Sequence, residues 1–130
     1  LGFQPLSEVD ERIAAAIVHS ALLVHKALGP GLLESAYEIC LAHELRKASF
    51  EVRRQDPVPL VYDNLVFEEA FRFDLLVNER VLCEVKSVDE VHPVCLAQVL
   101  TYLKLMNLRL CFLINFNVPL IKDGIQRVIR

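Results

Sequence analysis

Apolar residues recur at helical spacing through the first third of the chain and at every second position through its middle. Val9, Ile13, Ile17, Val24 and Leu28 mark the first helical stripe. Ser7 stands at its head with Asp10 three places on as a capping partner, and Gly29-Pro30-Gly31 stops it. A second helix is predicted from about Leu32 to Ala48. Leu33, Tyr37, Cys40 or Leu41, and Leu45 form its apolar stripe, while Glu34, Glu38 and Glu44 lie mostly away from it.

From Phe50 the period shortens to two. Phe50 to Arg54 and Val58 to Tyr62 read as short strands separated by Gln55-Asp56-Pro57, and Asp63-Asn64 is a turn signal. Phe67 to Val77 reads as one or two strands, joined through Asn78-Glu79-Arg80 to Val81 to Lys86 as a hairpin. Pro93 suits the first turn of a third helix that continues to about Leu108. Leu110 to Phe116 is nearly continuous in apolar residues, the pattern of a strand covered on both sides. A loop from Asn117 to Gly124 and an edge strand from Ile125 to Ile129 complete the chain. The predicted order is ααβββ(β)αββ, an α/β fold with a central mixed sheet flanked by helices. One domain is expected over residues 1–130.

Composition agrees with a packed core. Of 130 residues, 54 % are apolar and 24 % charged, which excludes a largely disordered chain. The longest apolar run, Ile13 to Val18, is far short of the roughly 20 residues that cross a bilayer. A net charge of -3 argues against a protein that coats nucleic acid with basic surface, but leaves room for carboxylates gathered around a cation. The mean hydropathy of +0.37 is high for so small a chain, and a homodimer covering some apolar surface is one expectation. Cys40, Cys83, Cys95 and Cys111 form no CxxC pair and sit among apolar neighbours, so they read as buried thiols in a reducing compartment. No leader pattern is legible, and a cytoplasmic setting is expected. His19, His25, His43 and His92 share no ligand spacing and read as structural.

Three charged residues interrupt the apolar hairpin. Alternation places Phe73, Leu75 and Val77 on one face, with Arg72 and Asp74 on the other. On the next arm Glu84 and Lys86 share a face, so Asp74, Glu84 and Lys86 can meet on one side of the sheet. Burying a carboxylate is expensive unless it is paired or bound to a cation, and two adjacent carboxylates repel. A divalent cation removes that difficulty, with Asp74 and Glu84 as hard oxygen ligands and Lys86 beside a water or a phosphate. A plain Asp–Lys or Glu–Lys salt bridge is the structural alternative. Gln98 and Tyr102, four apart on the third helix, either support such a site or form a half-exposed face with Tyr102 against the core. Glu34, in the first turn of the second helix, is explained by the helix dipole alone.

The run Gly31-Leu32-Leu33-Glu34-Ser35-Ala36-Tyr37 resembles the signature of the GxxExxY protein family, a branch of the PD-(D/E)XK nuclease superfamily. Phe73-Asp74-Leu75-Leu76-Val77 is similar to the segment carrying the superfamily's first aspartate. Glu84-Val85-Lys86 matches its (D/E)-x-K element, and Gln98-Val99-Leu100-Thr101-Tyr102 its Q-x-x-x-Y helix. The resemblance implies a restriction-endonuclease-like core in which Asp74 and Glu84 bind Mg²⁺ (or Mn²⁺) and Glu34 approaches the same metal. It implies that Lys86 assists water attack, while Gln98 and Tyr102 support the metal site or scissile phosphate. Ser49 stands where the family usually has glycine after the second helix.

The expected function is therefore divalent-metal-dependent hydrolysis of phosphodiesters in nucleic acid, DNA before RNA, with no membrane partner. Arg53, Arg54, Arg72, Lys104, Arg109 and Arg127 are candidates to flank the cleft. The competing expectation is a non-catalytic binding or homo-oligomeric assembly module on the same scaffold. A small-molecule hydrolase using the same cluster is a third reading.

Overall fold

The computed structural model describes residues 4–130. The first helix, α1, spans Glu8–Leu28 and starts at Ser7, whose Oγ accepts the Asp10 N–H at 3.1 Å. The Asp10 carboxylate turns elsewhere, accepting Arg80 Nε at 2.6 Å and tying the helix to a distant turn. Gly29, at φ 71°, ends α1 in the left-handed region that glycine enters without strain. Ile13, Ile17 and Val24 of the predicted stripe are buried, and Ala14 and Ala21 complete the packed face.

The second helix, α2, spans Glu34–Lys47 and starts later than the apolar pattern suggests. Leu33 is not part of its buried stripe: it is the N-cap residue and is 79 % exposed. Tyr37, Leu41 and Leu45 are fully buried as expected. Glu38, expected to point away from the core, is buried instead; its partners are described below. After α2 the chain leaves through Ser49 at φ 73°. The Ser49 N–H reaches Arg46 O and the Phe50 N–H reaches Leu45 O, the paired bonds of a left-handed helix ending that glycine ordinarily makes.

Five strands precede the third helix: β1 Val52–Arg54, β2 Pro57–Tyr62, β3 Leu65–Arg72, β4 Leu75–Val77 and β5 Val81–Lys86. The segment from Phe67 to Val77 is thus two strands, and they belong to different sheets. Helix α3 spans Val94–Met106, followed by β6 Leu110–Asn115, a short 3-10 turn Ile121–Asp123 and β7 Ile125–Ile129. The central sheet has the order β1-β4-β5-β6-β7, with β5 and β6 parallel and the other pairs antiparallel. A mixed sheet flanked by helices is the predicted class. The β2–β3 pair stands apart as a two-stranded hairpin.

The sheet separates two apolar layers. Leu75, Val77, Val81, Cys83, Val85, Phe112 and Ile114 pack with α1 and α2, whereas Leu76, Leu82, Cys111 and Leu113 pack with α3. Every residue of β6 is buried, which explains its unbroken apolar run. Phe73 does not share the Leu75 and Val77 face. It packs with Leu76 and Leu82, because a bend at Asp74 interrupts the alternation before β4 begins. Cys83 and Cys111 are free thiols buried in opposite layers, and burial pushes both thiols up, which suits packing rather than reactivity. His25 is buried with Nε2 2.8 Å from Val118 O, a structural histidine. Gly124 sits so close to β6 that an added Cβ would lie 2.0 Å from Asn115 O. Among the described residues no helix is long and apolar enough to cross a membrane.

Candidate functional site

The β4–β5 hairpin turns at Asn78 and Glu79, both left-handed at φ 50° and 56°. Its register pairs Leu75 with Cys83 and Val77 with Val81, so Asp74 comes opposite Glu84. The two acids are interlocked through backbone. Asp74 N–H donates to Glu84 Oε2 at 2.9 Å, and Val85 N–H donates to Asp74 Oδ2 at 2.8 Å. Each side chain thereby fixes the strand that carries the other.

Burial makes this arrangement electrostatically strained. Glu84 is 8 % exposed, and desolvation, reinforced by the Asp74 charge, pushes its carboxyl up to about 8. Asp74 is also raised, first by desolvation and then by the Glu38 charge, against the relief its hydrogen bonds from Val85 and Gln55 provide. The positive charge of Lys86 pulls both acids back down, which places its ammonium within electrostatic reach of the pair. Lys86 follows Glu84 by two on β5 and is half-buried at the strand's end.

Helix α2 approaches from the side. Glu34 Oε2 accepts the Ser87 N–H at 3.3 Å, and Ser87 Oγ donates to Leu32 O at 2.6 Å, so the helix start is pinned beside Lys86. Tyr37 holds the preceding loop: its hydroxyl donates to Gly29 O at 2.6 Å and accepts the Leu32 N–H at 3.0 Å. Its ring stacks on Phe116, with centroids 4.5 Å apart. The tyrosine and glutamate of the Gly31–Tyr37 run therefore anchor the loop and the start of α2.

Two further residues belong to the site and escape sequence reasoning. Glu38 is 5 % exposed; its Oε2 accepts both Arg54 Nε and Nη2, at 3.1 and 2.7 Å. Its Oε1 accepts Gln55 Nε2 at 2.7 Å, and the same amide reaches Asp74 Oδ1 at 3.1 Å. Gln55 is held at φ 52° while its N–H donates to Asp74 O and its own carbonyl accepts from Arg72. The one available sequence signal was that Glu38 follows Glu34 by four and so shares its helical face.

Helix α3 contributes less directly. Tyr102 is half-buried and stacks on Phe71 with centroids 4.0 Å apart. Burial and the charges of Glu84 and Asp74 push its hydroxyl up, so its ring stands within reach of the acid pair. Gln98 is exposed one turn earlier. Arg53 pairs with Asp56 and Glu79, Arg72 with Glu69, and Arg127 with Glu11, while Arg109 donates to backbone carbonyls including Arg130 O. Five of the six expected cleft-flanking cations, with Arg54 on Glu38, thus carry structural partners, and Lys104 is exposed on α3. Among the described residues no group of three or more His, Cys, Asp or Glu side chains converges as a ready metal cage.

A sequence profile of the PD-(D/E)XK nuclease superfamily matches residues 11–128. No curated protein and no solved structure matches the chain.

Proposed function

The chain belongs to the PD-(D/E)XK nuclease superfamily, and from that premise we propose that it hydrolyses phosphodiester bonds in nucleic acid, DNA before RNA, with Mg²⁺ or Mn²⁺. Within the superfamily we place it in the GxxExxY branch on Gly31, Glu34 and Tyr37, and we read residues 1–130 as one nuclease-like domain acting in the cytoplasm.

The observation that carries this reading is the interlocked, buried pair Asp74 and Glu84. Their donor chemistry fits a hard cation: two carboxylates are held in place by backbone and penalised for their charge by burial. Glu84 commits Oε2 to the chain, and its other oxygen makes no hydrogen bond among the described residues. Mg²⁺ ordinarily takes one or two protein carboxylates and keeps several waters, so a pair suffices without a third acid. Glu34 stands by the end of β5 as an outer ligand. Glu38, its charge already met by the Arg54 guanidinium, instead braces Asp74 through Gln55.

A cation held by Asp74 and Glu84 would polarise a phosphoryl oxygen and lower the pKa of a bound water. Lys86 holds its ammonium beside the acids, where it orients the attacking water and offsets charge gathering on the phosphate. Gln98 reaches the scissile phosphate from the exposed face of α3, and Tyr102, braced by Phe71, closes that side of the site. Attack proceeds in line with the leaving oxygen.

Cleavage of single- and double-stranded DNA and of RNA, with Mg²⁺ or Mn²⁺ and then with chelator, tests the proposal. Activity should vanish with chelator and fall at least a hundredfold in Asp74→Asn and Lys86→Ala. Calorimetric titration with Mn²⁺ should show one site that Glu84→Ala removes. Full cleavage by Asp74→Asn would overturn the assigned site and point to a contaminating nuclease, whereas absence of Mn²⁺ binding to the parent would favour the non-catalytic scaffold.

A further inference from the structure

The β2–β3 hairpin carries a run of exposed apolar side chains. Val61, Tyr62, Leu65, Val66 and Phe67 are each between 50 and 70 % exposed. Its register pairs Leu60 with Phe67 and Tyr62 with Leu65, which sets these four on one face, with Val61 and Val66 on the other. The base of the hairpin is packed: Val58, paired with Phe71, is buried, and Phe71 stacks on Tyr102. A register shift between Val58 and Leu60 separates this base from the tip, where Tyr62, Leu65 and Phe67 are exposed.

An isolated two-stranded ribbon is marginal in water, and one with both faces apolar at its tip calls for a cover. The chain exposes 7864 Å², whereas a compact monomer of its mass exposes roughly 7000 Å². A protruding ribbon carries extra surface of that order, and a standard interface removes ~800 Å² from each partner. Asp63, Glu68 and Glu69 lie along the hairpin, and its one cation, Arg72, is bound to Glu69 and to Gln55 O. That charge repels nucleic acid and anionic lipid surfaces alike. The same charges oppose a second copy except through the uncharged cluster Leu60, Tyr62, Leu65 and Phe67, which can meet an identical cluster, as a two-fold interface requires.

We propose that this hairpin is a dimerisation arm: two copies of the chain stack their Leu60, Tyr62, Leu65 and Phe67 faces about a two-fold axis. The arm lies outside the Asp74 and Glu84 pair, so the inference stands apart from the nuclease reading. Stacking orders the ribbon against Tyr102 and buries the surface that a lone copy leaves wet.

Sedimentation and light scattering across a concentration series provide the test. The parent should run at twice 14.8 kDa. Leu65→Glu and, separately, Tyr62→Glu should shift it to monomer or weaken association at least tenfold. Val66→Glu, on the opposite face, should leave the dimer in place. Circular dichroism of each variant should show the sheet and helices intact, since these side chains are solvent-exposed in one copy. A parent that stays monomeric, a dimer indifferent to Leu65→Glu and Tyr62→Glu, or equal loss with Val66→Glu would overturn the assignment.

Discussion

Gln55 donates its side-chain amide to Asp74 Oδ1 at 3.1 Å while its backbone N–H donates to the Asp74 carbonyl, so one left-handed residue holds both ends of the aspartate. The same amide is anchored on Glu38, itself neutralised by Arg54. Charge, amide and backbone turn therefore form one brace running from α2 through β1 to the start of β4. Gln55 does not reach the second acid, Glu84, which is held from the other strand.

Removing that brace should separate positioning from folding. Gln55→Ala loses the amide and keeps the unfavourable backbone, whereas Gln55→Gly loses the amide and relieves the backbone. We expect Gln55→Ala to be less stable than the parent by about 1–2 kcal/mol and Gln55→Gly to recover about 1 kcal/mol of that loss. Cleavage by both should fall roughly tenfold, because a misplaced Asp74 is felt in kcat more than in KM. Denaturation curves alongside a kcat and KM comparison provide the check; an unchanged kcat in both variants would leave Gln55 as a turn residue only.

Stability should decline as pH rises. Glu84 sits at about 8 in the folded chain because burial and the Asp74 charge penalise its ionised form, whereas unfolding returns it to the ordinary carboxylate range. Asp74 is raised in the same direction. Between those two values the folded state binds more protons than the unfolded one, so stability is highest below the ordinary carboxylate pKa and is lost as pH climbs toward 8. Glu84→Gln keeps an acceptor for the Asp74 N–H and removes the charge. Urea denaturation at a series of pH values should show a downward slope in the parent and a flatter one in Glu84→Gln, with the variant more stable at pH 8. Mn²⁺ should restore the parent at the alkaline end by binding only the folded state. Parallel slopes for the two proteins would remove the charge penalty on which the metal assignment rests.

What the sequence revealed depended on whether the signal was local. Asp74 and Glu84 were legible together because period-two alternation and a short loop at Asn78 fix which residues of a hairpin face each other. Tyr37 stood out as apolar at helical spacing, although its hydroxyl's hold on Gly29 and Leu32 required the loop to fold back. Glu38 was hidden because a glutamate on a helix reads as solvated; its burial depends on Arg54 and Gln55, which arrive from another element. Phe73 broke the alternation through a bend at Asp74, an aspartate that reads within the apolar run as one more strand position. The departure of β2–β3 from the central sheet was equally silent, since an apolar strand does not encode its neighbour.

Tyr37 should be worth more than its packing. Tyr37→Phe preserves the stack on Phe116 but strands the Gly29 carbonyl and the Leu32 N–H. A loss of about 1–3 kcal/mol is expected from the unpaired backbone groups. Because this loop delivers Glu34 to Ser87, amide exchange at Leu32 and Ser87 should accelerate together. Exchange unchanged at Ser87 would show that Glu34 is placed by α2 alone.

Ser49 offers a substitution expected to stabilise. Its φ of 73° lies in the left-handed region, where a side chain crowds the backbone, and its two helix-ending hydrogen bonds already have the geometry glycine adopts. Ser49→Gly relieves that strain and gives back part of the gain in unfolded-state freedom, leaving about 1 kcal/mol in favour of the fold. For a chain of this size the melting temperature should rise by about 3–5 °C. Ser49→Val, which adds branching at the same φ, should move it the other way. Since Ser49 lies at the far end of α2 from Glu34, cleavage should be unaffected, and a melting temperature lowered by Ser49→Gly would mean that the serine hydroxyl contributes something the backbone account omits.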